Sequence, residues 1–252
     1  MAPTKTDSGT PLSANAANLA QHALGHLVSR RQTQIVPALV DALELAVTDR
    51  SAEAWRDVSD QMQREGIHPT QICDDYVPEV ARRLGELWTE DELSFAGVTI
   101  ACSRLQAMLR DLSPEEPPDT SATGTRLLLV VIADTMHTLG AMVLTGQLRR
   151  QGASVKLMLG RSLQEISATL GSGSYHGALL SVALRDELSD LQATIKDLRG
   201  ANGNRIPIIV GGSITELGIN RVKVATGADL VTNDIREALR FVLKEMSGEA
   251  AG

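Results

Sequence analysis

One stretch decides what this chain can become: Leu127–Gly140, reading Leu-Leu-Leu-Val-Val-Ile-Ala and then Asp-Thr-Met-His-Thr-Leu-Gly. Six aliphatic residues in a row, followed by a polar loop, describe a strand buried on both faces, the kind found inside parallel sheets. Helically spaced apolar residues resume after Gly140. His137 therefore stands where a strand hands over to a helix, at the carboxyl edge of a parallel sheet. Open α/β folds bind their ligands at that edge.

The rest of the second half repeats the alternation. Strands are expected at Leu127–Ala133, Ser154–Leu157, Gly177–Ser181, Ile206–Val210 and Asp229–Val231. Helices are expected at about Leu139–Gln151, Ser162–Leu170, Asp186–Leu198, Thr215–Val222 and Asn233–Met246. Five βα units in this order predict an α/β domain over residues 126–247 with a doubly wound, five-stranded parallel sheet.

Residues 16–112 are patterned differently. Leu19, Ala23, Leu27 and Val28 share one helical face; Ile35, Val36, Leu39, Val40 and Leu43 share another; Trp55, Val58 and Met62 mark a third. After the turn at Gly66–Pro69 a fourth helix runs through Ile72, Val77, Val80, Leu84 and Leu87 to Trp88, with Pro78 as a kink or a helix start. Phe95, Val98, Cys102, Leu105 and Leu109 carry the fifth. Five such helices with short connections predict a bundle. Segment 113–125, with Ser-Pro and Glu-Glu-Pro-Pro at its start, reads as an exposed linker, and 1–15 and 248–252 as disordered ends.

Composition narrows the function. No run of about 18 apolar residues is present to span a bilayer, and the first residues lack a hydrophobic signal segment, so a cytoplasmic protein with no membrane partner is expected. Thirty-one acidic against 24 basic residues give a formal charge of −7, which opposes strong direct binding to nucleic acid. An effect on DNA would run through a protein partner. Cys73 and Cys102 lack metal-type spacing and fall on apolar helical stripes, as buried reduced thiols do.

Several ligands compete for the sheet edge. A dinucleotide needs Gly-x-Gly-x-x-Gly in the first turn, and Asp134–Gly140 has only the last glycine. A phosphoacceptor domain needs an aspartate where the third strand ends, and that residue is Ser181. A flavin site of the flavodoxin type needs flanking aromatics in a chain that has 2% aromatic residues. The edge offers one histidine, one serine and two glycines. An imidazole is a good ligand for a borderline transition metal, and adjacent glycines leave a slot that a Cβ would fill.

His137-x-x-Gly140 after the first strand, Ser181-Val182-Ala183 after the third and Gly211-Gly212-Ser213 after the fourth resemble the cobalamin-binding domains of methionine synthase, corrinoid proteins and mutases. The resemblance implies a Rossmann-like fold in which His137 is the lower axial ligand of cobalt. It also implies that the displaced nucleotide tail threads beside the sheet past Ser181, Gly211, Gly212 and Ser213. Two departures are visible. Asp134 stands three residues before His137 rather than two, with Thr135 in the expected place of the carboxylate that orients the imidazole. Leucine is displaced by one position, to Leu184.

Tyr76–Trp88 followed by Ser94–Ile100 resembles the helical cap that precedes such domains, where a tryptophan, here Trp88, shields the upper face of the corrin. The Glu-His pair of the adenosyl-form light sensors is Val98-Thr99 here. Arg83-Leu84-Gly85-Glu86-Leu87-Trp88 with Asp91 and Phe95, together with the Asp-x-x-His-x-x-Gly spacing, is most similar to the cobalamin-binding antirepressors of photosynthesis genes, the PpaA/AerR type. That resemblance implies a sensor rather than an enzyme, with cobalamin in an adenosyl-, methyl- or hydroxo-form and a PpsR/CrtJ-like repressor as partner. Light and redox state both remain open as the input, as does self-association. Two alternatives share the architecture: a corrinoid protein that carries a methyl group between methyltransferases, and a haem-binding sensor. His22 and His26, four apart on one expected helix face, are a further candidate ligand pair. His68 and His176 are assigned no role.

Overall fold

The computed structural model describes residues 35–113, 124–131, 138–173, 175–184, 186–203 and 205–248. The expected first helix with His22 and His26, the leader 1–15, residues 114–123 of the linker, residues 132–137 and the last four residues lie outside this set.

The first described lobe is helical. Helix α1 (Pro37–Thr48) opens with a proline in its first turn, where the missing N–H costs nothing. Helix α2 (Ala54–Arg64) follows after a short connection. A single turn at Pro69–Gln71, capped by the His68 side chain accepting from the Thr70 N–H, leads into a widened π-type segment, Ile72–Tyr76, and then into α3 (Val77–Thr89). Pro78 thus follows directly on the widened turn, inside a helical run that is continuous from Pro69 to Thr89. Helix α4 (Phe95–Leu112) is capped by the Ser94 hydroxyl, which accepts from the Gly97 N–H at 3.1 Å. Leu43, Met62, Ile72, Tyr76, Leu84, Leu105 and Met108 are fully buried at the centre. Cys73 is buried as expected, whereas Cys102 is only half-buried.

The second lobe alternates: β1 (Arg126–Val131), α5 (Thr138–Arg150), β2 (Ser154–Leu159), α6 (Leu163–Ser172), β3 (Gly177–Ser181), α7 (Leu188–Asn202), β4 (Ile208–Gly211), α8 (Ile219–Thr226), β5 (Leu230–Val231) and α9 (Ile235–Met246). All pairings are parallel and the strand order is β2-β1-β3-β4-β5. The architecture is therefore a helical bundle followed by a Rossmann-like, doubly wound five-stranded sheet. One expected element is corrected. The helix read at Thr215–Val222 is a 3-10 turn, Ser213–Leu217, and then α8, separated by Gly218 at φ +100, which a helix cannot accommodate.

Helices cover both sheet faces. Leu128, Val130, Leu180 and Val210 pack with α6, α7 and α8, while Leu127, Leu129, Leu179 and Ile209 pack with α5 and α9. Alternate residues of one apolar run thus enter two different cores, as strand geometry requires. The lobes meet on α5, whose Leu139 and Val143 belong to the core of the bundle while its Ala141 and Leu148 face the sheet. Gln106 Nε2 donates to Thr138 Oγ1 at 2.8 Å, and Arg150 pairs with Asp74 across the same contact. Among the described residues no helix is long and apolar enough to cross a membrane.

Candidate functional site

Strand β1 has β2 on one side and β3 on the other, so the connections leave in opposite directions there. This is the switch point at which open sheets open a crevice. The strand ends are aligned across it. Val131 pairs with Leu159 and with Ser181, and Ser181 pairs with Gly211. His137, Asp134 and Thr135 lie outside the described residues, but both flanks of their loop are fixed: Val131 closes β1 at this edge and Thr138 begins α5. Gly140 is exposed in the first turn of α5, with no atom within 4 Å of the place a Cβ would take.

Beside the Ser181 end of the sheet, between the strands and helices α5 and α9, is a cavity of about 70 Å³. Its walls are Leu129, Leu144, Leu179, Ile209 and Ile235, and its rim carries Ser181, Gly211, Gly212 and Asn233. Three residues read from the sequence as one site, Ser181, Gly211 and Gly212, thus line one hollow. The cavity is apolar along the sheet and polar at its mouth, the character a heterocyclic ring with a polar tail requires.

The glycines earn their place for a reason the sequence did not disclose. A Cβ on Gly211 would sit 2.8 Å from the Thr232 carbonyl oxygen, and one on Gly212 would strike the Val182 backbone. Gly212 also adopts φ 97, ψ −170, a region open in practice only to glycine. The pair makes room first for neighbouring backbone and only then for a ligand. Ser213 Oγ accepts from the Leu184 N–H at 2.9 Å, tying the loop after β3 to the loop after β4 rather than pointing to a free role.

Asn233 was not anticipated. Its Oδ1 accepts from the Gly212 N–H at 2.7 Å and its Nδ2 donates to Thr215 Oγ1 at 2.8 Å, so it sets the conformation of the glycine loop from the end of β5. The only sequence signal for it is a polar Thr-Asn-Asp run directly after an apolar strand. Next to it Asp234 caps α9, accepting from the N–H groups of Glu237 and Arg236, which hold its carboxyl below the usual carboxylate range.

Trp88 is not brought into this cavity. It ends α3 with 45% of its surface exposed and forms a tilted pair with Phe95, which is 59% exposed, ring centroids 6.4 Å apart. Two of the chain's six aromatic side chains are therefore held together on the surface of the bundle, and single exposed rings elsewhere would need no explanation whereas a pair is a small platform. The turn between them is set by Asp91 at φ 59 and by the Glu92 and Leu93 N–H groups returning to the Leu87 carbonyl. His68 and His176 are bound up locally, the latter accepting from the Arg126 N–H at the amino edge of the sheet. Among the described residues no group of three His, Cys, Asp or Glu could hold a metal ion by itself.

No protein-family model matches the chain. A curated relative, an uncharacterized 20.5 kDa protein in the bchF-crtJ intergenic region of Rhodobacter capsulatus, is 33% identical over 190 residues, covering 75% of this chain and 96% of the relative. Among solved structures, the monomethylamine corrinoid protein of Methanosarcina barkeri superposes with a TM-score of 0.65 at 14% identity over 82% of this chain and 98% of its own. A cobalamin-binding protein from Desulfitobacterium hafniense DCB-2 aligns over the same shares at 17% identity with a TM-score of 0.41, too loose to bear on the fold.

Proposed function

This chain belongs to the family of the 20.5 kDa protein in the bchF-crtJ intergenic region of Rhodobacter capsulatus, and on that premise we propose that it is a cobalamin-binding regulator acting through a partner repressor of the PpsR/CrtJ type. The observation that carries the reading is the cavity whose lining brings Ser181 together with Gly211 and Gly212, thirty positions later in the chain, as the cobalamin-binding resemblance implies. The likeness in fold to a corrinoid protein supports it. The naming of crtJ beside the relative supports the choice of partner.

In this reading His137, in the segment between Val131 and Thr138, would hold the cobalt, and Ser181 would meet the cofactor's tail. The cavity is about 70 Å³, so a planar heterocycle would have to widen it on entering. The fit is one of character and position. Gly140 leaves the ligand side of α5 bare, and Trp88 with Phe95 supplies the apolar platform for the upper face. The cofactor, when bound, would supply a light- or redox-sensitive cobalt centre. The chain's part is to hold it between two lobes that already share α5, so that a change at the edge reaches the bundle surface where a partner docks.

The test is a repressor–DNA binding titration in the presence of the chain with and without cobalamin. The expected result is weakened DNA binding by the repressor in only one of the two states; equal effects in both, or none, would contradict the regulatory role. The likeness to the monomethylamine corrinoid protein favours methyl carriage as the second reading, and enzyme-dependent methylation of the bound cobalt would decide for it.

A further inference from the structure

A larger hollow of about 340 Å³ lies elsewhere, between the bundle and the far half of α5. Its floor is apolar, with Leu109, Leu112, Met142 and Leu157, and Thr145 is buried beside them. Three arginines, Arg110, Arg149 and Arg150, also line it, and among the described residues no carboxylate does. Arg150 is partnered by Asp74 and Arg149 donates to the Val155 carbonyl at 3.1 Å, while Arg110 comes from the last turn of α4. The hollow is separate from the sheet edge: α5 begins at Thr138 beside that edge, and the lining residues of α5 run from Met142 to Arg150.

We propose that this hollow is a second binding site, for an amphipathic monoanion with an apolar body and one carboxylate, sulfonate or phosphate group. Its volume is within the range of about 300–1,000 Å³ usual for small-molecule sites. A greasy chamber lined by three arginines, only one of them paired with an acid, Asp74, disfavours cations, gains little from neutral polar molecules, and offers an anion charge-assisted hydrogen bonds. The apolar floor selects for a hydrocarbon or aryl body over a bare ion. Occupancy would stiffen the contact between α5 and the bundle, giving the protein a second input that is chemically unrelated to the first.

Gly146 provides the decisive variant. It lines the hollow, and a Cβ there would meet only the flexible end of Arg150, at 3.1 Å. Gly146→Leu therefore fills the chamber with a residue that also favours the helix. The experiment uses the full chain and two probes, 8-anilinonaphthalene-1-sulfonate fluorescence and its displacement by decanoate, with decan-1-ol as the uncharged control. The expected result is one displaceable probe per chain, decanoate stronger than decan-1-ol by about tenfold or more, and loss of the site in Gly146→Leu with an unchanged circular dichroism spectrum. Arg110→Gln, a change on an exposed side chain, weakens decanoate by about tenfold and leaves decan-1-ol unaffected. No saturable binding, equal affinity for acid and alcohol, or full binding by folded Gly146→Leu would overturn the proposal. If Gly146→Leu does not fold, the Arg110→Gln comparison decides alone. Cobalamin takes no part, so the outcome is independent of the reading of the sheet edge.

Discussion

Val131 and Ser181 are register partners at the carboxyl ends of β1 and β3, the point where the strand order turns back on itself. The segment carrying His137 follows one of them in the chain, and the cavity beside α5 and α9 is lined by the other. Ser181→Leu places a branched side chain in that cavity without disturbing the ladder. It is expected to lower cobalamin affinity at least about tenfold, equivalent to about 1.4 kcal/mol or more, while the unfolding midpoint stays close to that of the parent. Equilibrium dialysis with a parallel denaturant titration measures both.

Gly212→Ala acts differently, since the backbone at φ 97, ψ −170 excludes a side chain and the added carbon would strike Val182. A stability loss of about 1–3 kcal/mol is expected from the strained conformation alone. Urea denaturation of the variant should show a lower midpoint with an unchanged slope.

Asp91, at φ 59, pays a conformational cost to turn the chain between Trp88 and Phe95. Asp91→Gly relieves it and is expected to raise stability by about 0.5–1 kcal/mol. Trp88→Ala, by contrast, removes a half-exposed ring and should change stability by no more than about 0.5 kcal/mol, yet alter the spectrum of bound cobalamin. A thermal melt beside an absorption scan separates the two effects.

The Asp234 carboxylate accepts from the Glu237 and Arg236 N–H groups at the start of α9, and its acidity is enhanced by them. The folded pKa lies below the unfolded value, so the stability it contributes is present above the usual carboxylate range of about 4 and is lost as pH falls through the lower folded value. Asp234→Ala should cost about 1 kcal/mol at neutral pH, the usual worth of such a cap, and much less in strong acid. Denaturation midpoints at neutral and acid pH check the sign.

The parallel sheet was legible because β1 and β3 are continuous apolar runs, and a run buried on both faces has few other fates. Ends were harder. The end of strand β2, at Leu159 rather than Leu157, was missed because this edge strand is only partly buried, a weaker signal than an unbroken apolar run. The break at Gly218 was missed because the apolar spacing on either side of it is helical. Ser181, Gly211 and Gly212 were found together because strand ends converge at a switch point. Asn233 was not, since its role depends on a hydrogen bond to Gly212 across twenty-one positions that no local pattern encodes.

The most direct test of the account is the visible spectrum of the full chain after incubation with hydroxocobalamin and passage through a desalting column, set beside that of His137→Ala. The account predicts about one equivalent of cobalamin retained by the parent, with a spectrum shifted from that of the free cofactor, and loss of that shift in a folded His137→Ala protein. A colourless parent, or identical retained spectra from both proteins, would contradict it.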